Sequence, residues 1–172
     1  MEISVIQDKI RGSLIGGAAG DALGYAVEFL QEKQIFRAYG RAGITEYAPE
    51  RQTGLAVISD DTQMTLFTAN ALLLSQHRLR ERGIAGEPRS YALFAYLGWL
   101  HTQEYPYSPQ TRIPDDWSGW ASFLLRDVPA LYVRRAPGMT CLSTLETRKA
   151  QLEKGLRIRD RLRRILLYKI LP

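Results

Sequence analysis

Apolar residues at the start of the chain recur at three- and four-residue steps. Ile3, Ile6, Ile10 and Leu14 form a stripe, the pattern of a helix with one face toward a core. The predicted helix covers residues 2–30. Its second half is dense in small residues, Gly12-Ser13-Leu14-Ile15-Gly16-Gly17-Ala18-Ala19-Gly20-Asp21-Ala22-Leu23-Gly24. Each glycine inside a helix costs about 1 kcal/mol relative to alanine, so a run of them implies a compensating role, such as close backbone approach to another helix. These glycines do not follow a strand and no Gly-Lys-Ser/Thr ending is present, which argues against a dinucleotide fingerprint or a phosphate-binding loop.

Residues 31–58 mix glycine, proline and charge with short apolar pieces and predict loop, with a short helix near 31–39. Residues 62–82 predict a helix carrying Met64, Phe67, Leu72 and Leu74, closed by the Arg-rich segment 78–82 and Gly83, a basic last turn followed by a helix-stop glycine. Residues 84–89 form a linker. Residues 90–103 predict a helix with Tyr91, Phe94, Leu97, Trp99 and Leu100 toward the core. Pro106, Pro109 and Pro114 make 104–120 a loop. Asp115-Asp116-Trp117 marks a further helix start, running to about Tyr132 with Pro129 near its end. Arg134-Arg135-Ala136-Pro137-Gly138 reads as a turn, and Cys141 to Glu146 opens another helical pattern. No period-two strand and no internal repeat is visible, so the expected class is all-α.

The chain has 172 residues, 45% of them hydrophobic, a size and composition suited to one soluble domain with a sizeable core. No apolar run is long enough to span a bilayer, and the N-terminus does not read as a secretory signal. One cysteine excludes an intrachain disulfide and fits a reducing compartment; the cytoplasm is the expected location. The net charge of +5 is unevenly placed. Residues 148–172 hold nine Lys/Arg against two Asp/Glu, and the remainder holds fourteen against sixteen. On a helical wheel Leu152, Leu156, Leu162, Leu166, Leu167 and Ile170 share a broad face, but Arg159 and Arg163 intrude on it while Ile158 and Ile165 fall outside. A membrane or partner helix separates these classes better, and the tail lacks the aromatic interleaving of a nucleic-acid binder. A basic polyanion or membrane binder is therefore the weakest functional class; neither nucleic acid nor membrane is an expected partner.

Ser59-Asp60-Asp61-Thr62 carries the most chemistry. Four hard oxygen donors within four residues form a half-site suited to Mg²⁺ or Mn²⁺. The same residues suit a helix N-cap, with a side-chain oxygen taking a free backbone N–H and carboxylate charge facing the helix dipole. Caps are the commoner use, so spacing alone favours the cap. Asp21 and Glu28 lie seven residues apart, about 20° apart on one face if the first helix continues through both. Taken singly, Asp21 reads as a structural hydrogen-bond acceptor to a neighbouring loop and Glu28 as a solvated acid. His77 and His101 have no acidic partner at ligand spacing and read as helix-surface or core residues. Cys141 reads as a buried thiol, and Trp99, Trp117 and Trp120 as core rather than an adenine platform.

Together these segments resemble the ADP-ribosylglycohydrolase family. The carrying residues are Arg11-Gly12-Ser13-Leu14 through Gly20-Asp21-Ala22-Leu23-Gly24 with Glu28, then Ser59-Asp60-Asp61-Thr62-Gln63-Met64-Thr65. Tyr96-Leu97-Gly98-Trp99-Leu100-His101-Thr102-Gln103 and Arg135-Ala136-Pro137-Gly138-Met139-Thr140-Cys141-Leu142 support it, in the family's order, over roughly residues 8–146. The resemblance implies an orthogonal all-α bundle, a pair of Mg²⁺ or Mn²⁺ ions, and hydrolysis of the glycosidic bond between ADP-ribose and a protein side chain, of the arginine type, or a related linkage. The implied partner is an ADP-ribosylated protein or a small molecule containing ADP-ribose. By matching position Ser59, Asp60 and Asp61 are the implied metal ligands. Glu28 and Asp60 are the implied catalytic residues, Glu28 as a base or as a gate near the metals. Carboxylates suit the oxocarbenium character that develops at an anomeric carbon.

The family's second metal motif, a late Asp-x-Asp-Thr, has no counterpart in the sequence, and no Asp-x-Asp occurs. Only half of the implied ligands are therefore present. The resemblance fades where the charge balance changes, so the expected organisation is an incomplete family domain over residues 1–147 and a basic tail over 148–172, read as out-of-frame sequence or a truncation product. A bundle cut partway exposes apolar area at about 25 cal/mol per Å², which predicts a poorly soluble or molten chain. The alternative to an enzyme is a non-catalytic structural or binding member of the same fold, crystallin-like, or a defective gene product.

Overall fold

The computed structural model describes residues 3–83, 86–109 and 122–170, with side chains throughout except at 122, 123 and 156–170. Within those residues the secondary structure is helical, with no strand. The elements are α1 (Ile3–Tyr25), α2 (Glu32–Tyr39), α3 (Asp60–Arg82), α4 (Pro88–Glu104), α5 (Ser122–Asp127), a 3₁₀ turn at Pro129–Tyr132, and α6 (Met139–Ile170). The chain divides into two compact units, residues 1–137 and 138–172. The expected helix start at Asp115-Asp116-Trp117, and the core reading of Trp117 and Trp120, lie outside the described residues.

The first unit is built on α3 and α4, which pack more extensively against each other than any other pair of described elements. Phe67 and Ala71 of α3 are buried, as are Tyr91, Ala95, Leu97, Trp99 and Leu100 of α4. Phe94 is half-buried. The α3 boundaries follow local chemistry. Ser59 caps the start, and Gly83 ends the helix in the left-handed region (φ 62°), its N–H returning to the Arg78 and Leu79 carbonyls. Pro88 opens α4 at a position where a missing N–H costs no helical bond.

Leu124, Leu125 and Leu131 add to the buried set. The predicted helix ending near Tyr132 is interrupted at Val128, where Pro129 disfavours continued α backbone and starts the 3₁₀ turn. The last carbonyls of α5 are taken by tyrosines. Tyr132 donates to the Leu125 carbonyl (2.8 Å) and Tyr107 to the Arg126 carbonyl (2.9 Å), supplying partners that a helix end lacks. The Tyr107 and Tyr132 rings meet edge-on at 5.3 Å, and His101 stacks on Tyr105 at 4.7 Å.

Three expectations about α1 are corrected. The first helix ends at Tyr25 rather than near residue 30, and residues 24–30 continue as tighter turns, with Val27 N–H bonded to Gly24 O and Leu30 N–H to Val27 O, both 2.9 Å. The Ile3, Ile6 and Ile10 stripe is exposed instead of core-facing. Helix α1 meets α3, and the groove between them begins only at Leu14. The glycines of α1 have no neighbouring atom within 4 Å of a would-be Cβ, so no close helix approach explains them among the described residues. Leu72 is exposed, since Phe67 and Ala71 are the α3 residues turned into the core, with Met64 and Leu74 half-buried.

The second unit is the long helix α6, whose first turn is closed by the Leu142 N–H to the Gly138 carbonyl (3.1 Å). Cys141 is half-buried rather than buried. The helix runs without a break from 139 through 170, across the change in charge balance at 148.

Two glycines should respond oppositely to alanine. At Gly86 a Cβ would lie 2.4 Å from Tyr91 Cε2, and Tyr91 is only 2% exposed. Gly86→Ala is expected to lose about 1–3 kcal/mol through overpacking. Gly16→Ala, with open space around the new methyl, is expected to gain up to about 1 kcal/mol. Urea denaturation of the two variants beside the wild type measures both signs.

Candidate metal and hydrolytic centre

Helix α3 begins with three amides that its own backbone cannot satisfy. Each finds an acceptor. Ser59 N–H donates to Asp21 Oδ2 (2.8 Å), Asp60 N–H to the Arg135 carbonyl (2.9 Å), and Asp61 N–H to Ser59 Oγ (3.1 Å). The Thr62 hydroxyl donates to the same Asp21 oxygen. Asp21 therefore bridges α1 to the first turn of α3, the structural role expected of it from sequence. Ser59, Asp60 and Thr62 are buried and Asp61 is exposed.

Glu28 lies beyond the end of α1 and is exposed, yet it remains within electrostatic reach of the same turn. Its pKa is raised above the ordinary carboxylate value, first by partial loss of water and then by the negative charges of Asp60, Asp61 and Asp21. The fold thus brings Asp21, Glu28, Asp60 and Asp61 into one acidic neighbourhood although two of them come from the α1 region and two from α3. Ser59, Asp60, Asp61 and Glu28, the residues singled out in the sequence, all belong to it.

An open groove of about 610 Å³ runs beside this neighbourhood between α1 and α3. Leu14, Ile15 and Ala18 supply apolar wall, and Asp21, Asp61, Thr62 and Thr65 supply polar atoms. Two of the acids, Asp21 and Asp61, are among the residues that line it. Glu28 and Asp60 do not line it.

Three further residues shape the centre and went unread in the sequence. Gln63, 1% exposed, donates from Nε2 to the Val133 carbonyl (3.0 Å) and accepts at Oε1 from Trp99 Nε1 (3.1 Å) and Gln103 Nε2 (3.2 Å). Arg135 pairs with Glu50 at 2.9 Å while its carbonyl receives the Asp60 amide. The partners are separated by 36 to 85 residues, so no local periodicity announces them. The one local signal was the presence of Gln63 directly after the Ser-Asp-Asp-Thr run.

The donor chemistry fits a divalent cation. Carboxylates and hydroxyls are the oxygen ligands that Mg²⁺ and Mn²⁺ prefer. Capping occupies only one acceptor site of the Ser59 hydroxyl, leaving capacity for a second contact. Mutual repulsion among the carboxylates is the condition a cation relieves. As arranged, no three acidic, histidine or cysteine side chains among the described residues converge as a ready ligand group.

Fold and site together define an all-α protein whose polar centre is a carboxylate cluster at the start of a core helix. Residues 3–161 match the family model for ADP-ribosylglycohydrolase, and the chain belongs to that family of glycohydrolases, which act on ADP-ribosylated substrates. The match continues into the basic segment beyond residue 148. No curated protein and no solved structure matches the chain. No described helix is long and apolar enough to cross a membrane.

The ion pair of Glu50 and Arg135 has a pH signature. The Arg135 hydrogen bond holds the Glu50 carboxyl below its ordinary value near 4.5. A depressed carboxylate pKa contributes stability above the unfolded value and loses it as pH falls through the folded one. Glu50→Gln should therefore be less stable than wild type near about pH 6, with the difference shrinking below about pH 4. Thermal midpoints taken across that range check the sign.

Proposed function

We propose that this chain is a divalent-metal-dependent hydrolase of the glycosidic bond between ADP-ribose and an arginine-type side chain, acting in the cytoplasm. The observation that carries the reading is the Ser59-Asp60-Asp61-Thr62 start of α3 tied to Asp21, with Glu28 within electrostatic reach of it, in a chain belonging to a glycohydrolase family.

Ser59, Asp60 and Asp61 would hold the metal, whose chemistry is to bind sugar hydroxyls and activate water. Asp21 keeps the turn in place through its bonds to Ser59 N–H and the Thr62 hydroxyl. Asp21 and Asp61 both line the groove and would place negative charge beside it. Negative charge beside an anomeric carbon stabilises the oxocarbenium character of the transition state. Glu28, exposed at the edge of the cluster, acts as a base or as a gate. The apolar wall from Leu14, Ile15 and Ala18 shields one side of the groove.

Mn²⁺ titration followed by electron paramagnetic resonance tests the metal site, and release of ADP-ribose from ADP-ribosylated arginine tests the reaction. Asp60→Asn and Asp61→Asn should each weaken Mn²⁺ binding by more than the roughly 10–100-fold typical of changes outside the ligand shell, and should abolish hydrolysis. Tight Mn²⁺ binding retained in both variants would sink the ligand assignment. Metal binding without hydrolysis in the wild type would point to a non-catalytic member of the family.

A further inference from the structure

The first turn of α3 is aimed by an extended segment that docks against it. Val133 has extended backbone (φ −113°, ψ 127°). In extended chain, carbonyls two residues apart point to the same side. The Val133 and Arg135 carbonyls both face α3: Arg135 takes the Asp60 amide, and Val133 takes the Gln63 side chain. The segment is therefore fastened at two points, one turn apart along the helix. The Gln63 N–H stays within the helix, reaching the carbonyl of the capping residue Ser59 at 3.4 Å.

The direction of the Gln63 amide is fixed by its partners. The Trp99 indole is a donor only, so the atom facing it must be Gln63 Oε1. Gln103 then presents its NH₂ group to the same oxygen. What remains for Gln63 is its own NH₂ group, directed at the Val133 carbonyl. A buried helix core thus dictates the donor that grips the docked segment. Ala136, immediately after that segment, sits at φ 55°. A non-glycine residue there holds a strained conformation that persists only where its surroundings over-determine it. The grip on Arg135 from Asp60 and Glu50 supplies that restraint.

We propose that Gln63 is a positioning residue for metal binding: by holding Val133, it keeps the Arg135 carbonyl under the Asp60 amide and sets the direction of the Asp60 and Asp61 carboxylates. This rests on the metal-site reading given under Proposed function. Gln63 itself makes no contact with the metal or substrate in this role. It acts through the docked segment.

The experiment compares Gln63→Met with Trp99→Phe in the full chain. Gln63→Met keeps the side-chain length and removes both polar groups. Trp99→Phe removes one bond to Gln63 Oε1 but leaves Gln103 to fix the amide direction. Mn²⁺ affinity by electron paramagnetic resonance, the metal-free thermal midpoint and hydrogen exchange of the Asp60 amide are measured for each. Expected results are about tenfold weaker Mn²⁺ binding and faster Asp60 amide exchange in Gln63→Met. Trp99→Phe should keep wild-type affinity even where its thermal midpoint falls as far. Wild-type affinity in Gln63→Met would overturn the positioning role alone. So would equal loss in Trp99→Phe, since that traces the effect to general stability. No Mn²⁺ binding by the wild type would overturn the metal-site reading itself. Should Gln63→Met fail to fold, Gln63→Asn, one methylene short of the Val133 carbonyl, is expected to show the same tenfold weakening, and unchanged affinity there overturns the proposal equally.

Discussion

Three amides at the start of α3 need acceptors that the helix cannot provide, and the way they are satisfied organises the first unit. A buried N–H without a partner costs about 1–3 kcal/mol, so each contact carries weight. Asp21 serves the Ser59 amide, the Arg135 carbonyl serves Asp60, and the Ser59 hydroxyl serves Asp61. The three acceptors come from α1, from the extended segment before residue 137, and from the cap itself. Capping one helix thereby draws together pieces of chain far apart in sequence. Because Asp60 and Asp61 are themselves two of the capped residues, the bonds that start the helix also place its chemistry.

The same turn shows why cap and ligand set are compatible uses of one motif. Negative charge in the first helical turn gains about 0.3–1 kcal/mol from the helix dipole. That gain suits one or two carboxylates. It does not absorb the repulsion added when Asp21 and Glu28 approach from the α1 region; the pKa of Glu28 is raised first by partial loss of water and then by the charges of Asp60, Asp61 and Asp21. A cap alone does not require four acids in one neighbourhood, and that surplus of acid is what the proposed cation site would use. The burial pattern agrees, with Asp60 buried among the capping bonds and Asp61 exposed at the groove.

Local rules made part of this legible in sequence. The start at Ser59, the stop at Gly83 and the core role of Trp99 follow from capping, stop and burial preferences that act within one element. The bridging role of Asp21 was readable because an acid in a small-residue helix needs a donor nearby. What escaped was set by tertiary partners. Gln63 looks like any polar helix position until Val133, Trp99 and Gln103 are placed around it. Glu50 and Arg135 are 85 residues apart. The isoleucine stripe of α1 states a preference for burial, but a stripe cannot say how far along it a covering surface extends. Similarly, glycines in α1 signal permitted close approach without supplying the neighbour. The end of α1 at Tyr25 is a matter of backbone turns that a continuing apolar pattern conceals.

The Gln63 network also explains how a polar centre coexists with a tightly packed core one turn away. Phe67 and Trp99 are fully buried, and an unsatisfied amide beside them would be costly. Gln63 Oε1 avoids this by taking two donors, the indole of Trp99 and the amide of Gln103. Gln103 in turn donates to the Thr102 hydroxyl, and Thr102 to the Trp99 carbonyl. The bonds close back on α4, leaving Gln103 Oε1 as the one buried oxygen of the group without a hydrogen-bond partner among the described residues, and one donor of Gln63 acts outside the α3 and α4 pair. That donor is the Gln63 NH₂ group on the Val133 carbonyl. Rigidity generated by core packing is therefore delivered to the carboxylate turn through a single directed hydrogen bond, and the two donors on Gln63 Oε1, from Trp99 and Gln103, fix which way that bond runs.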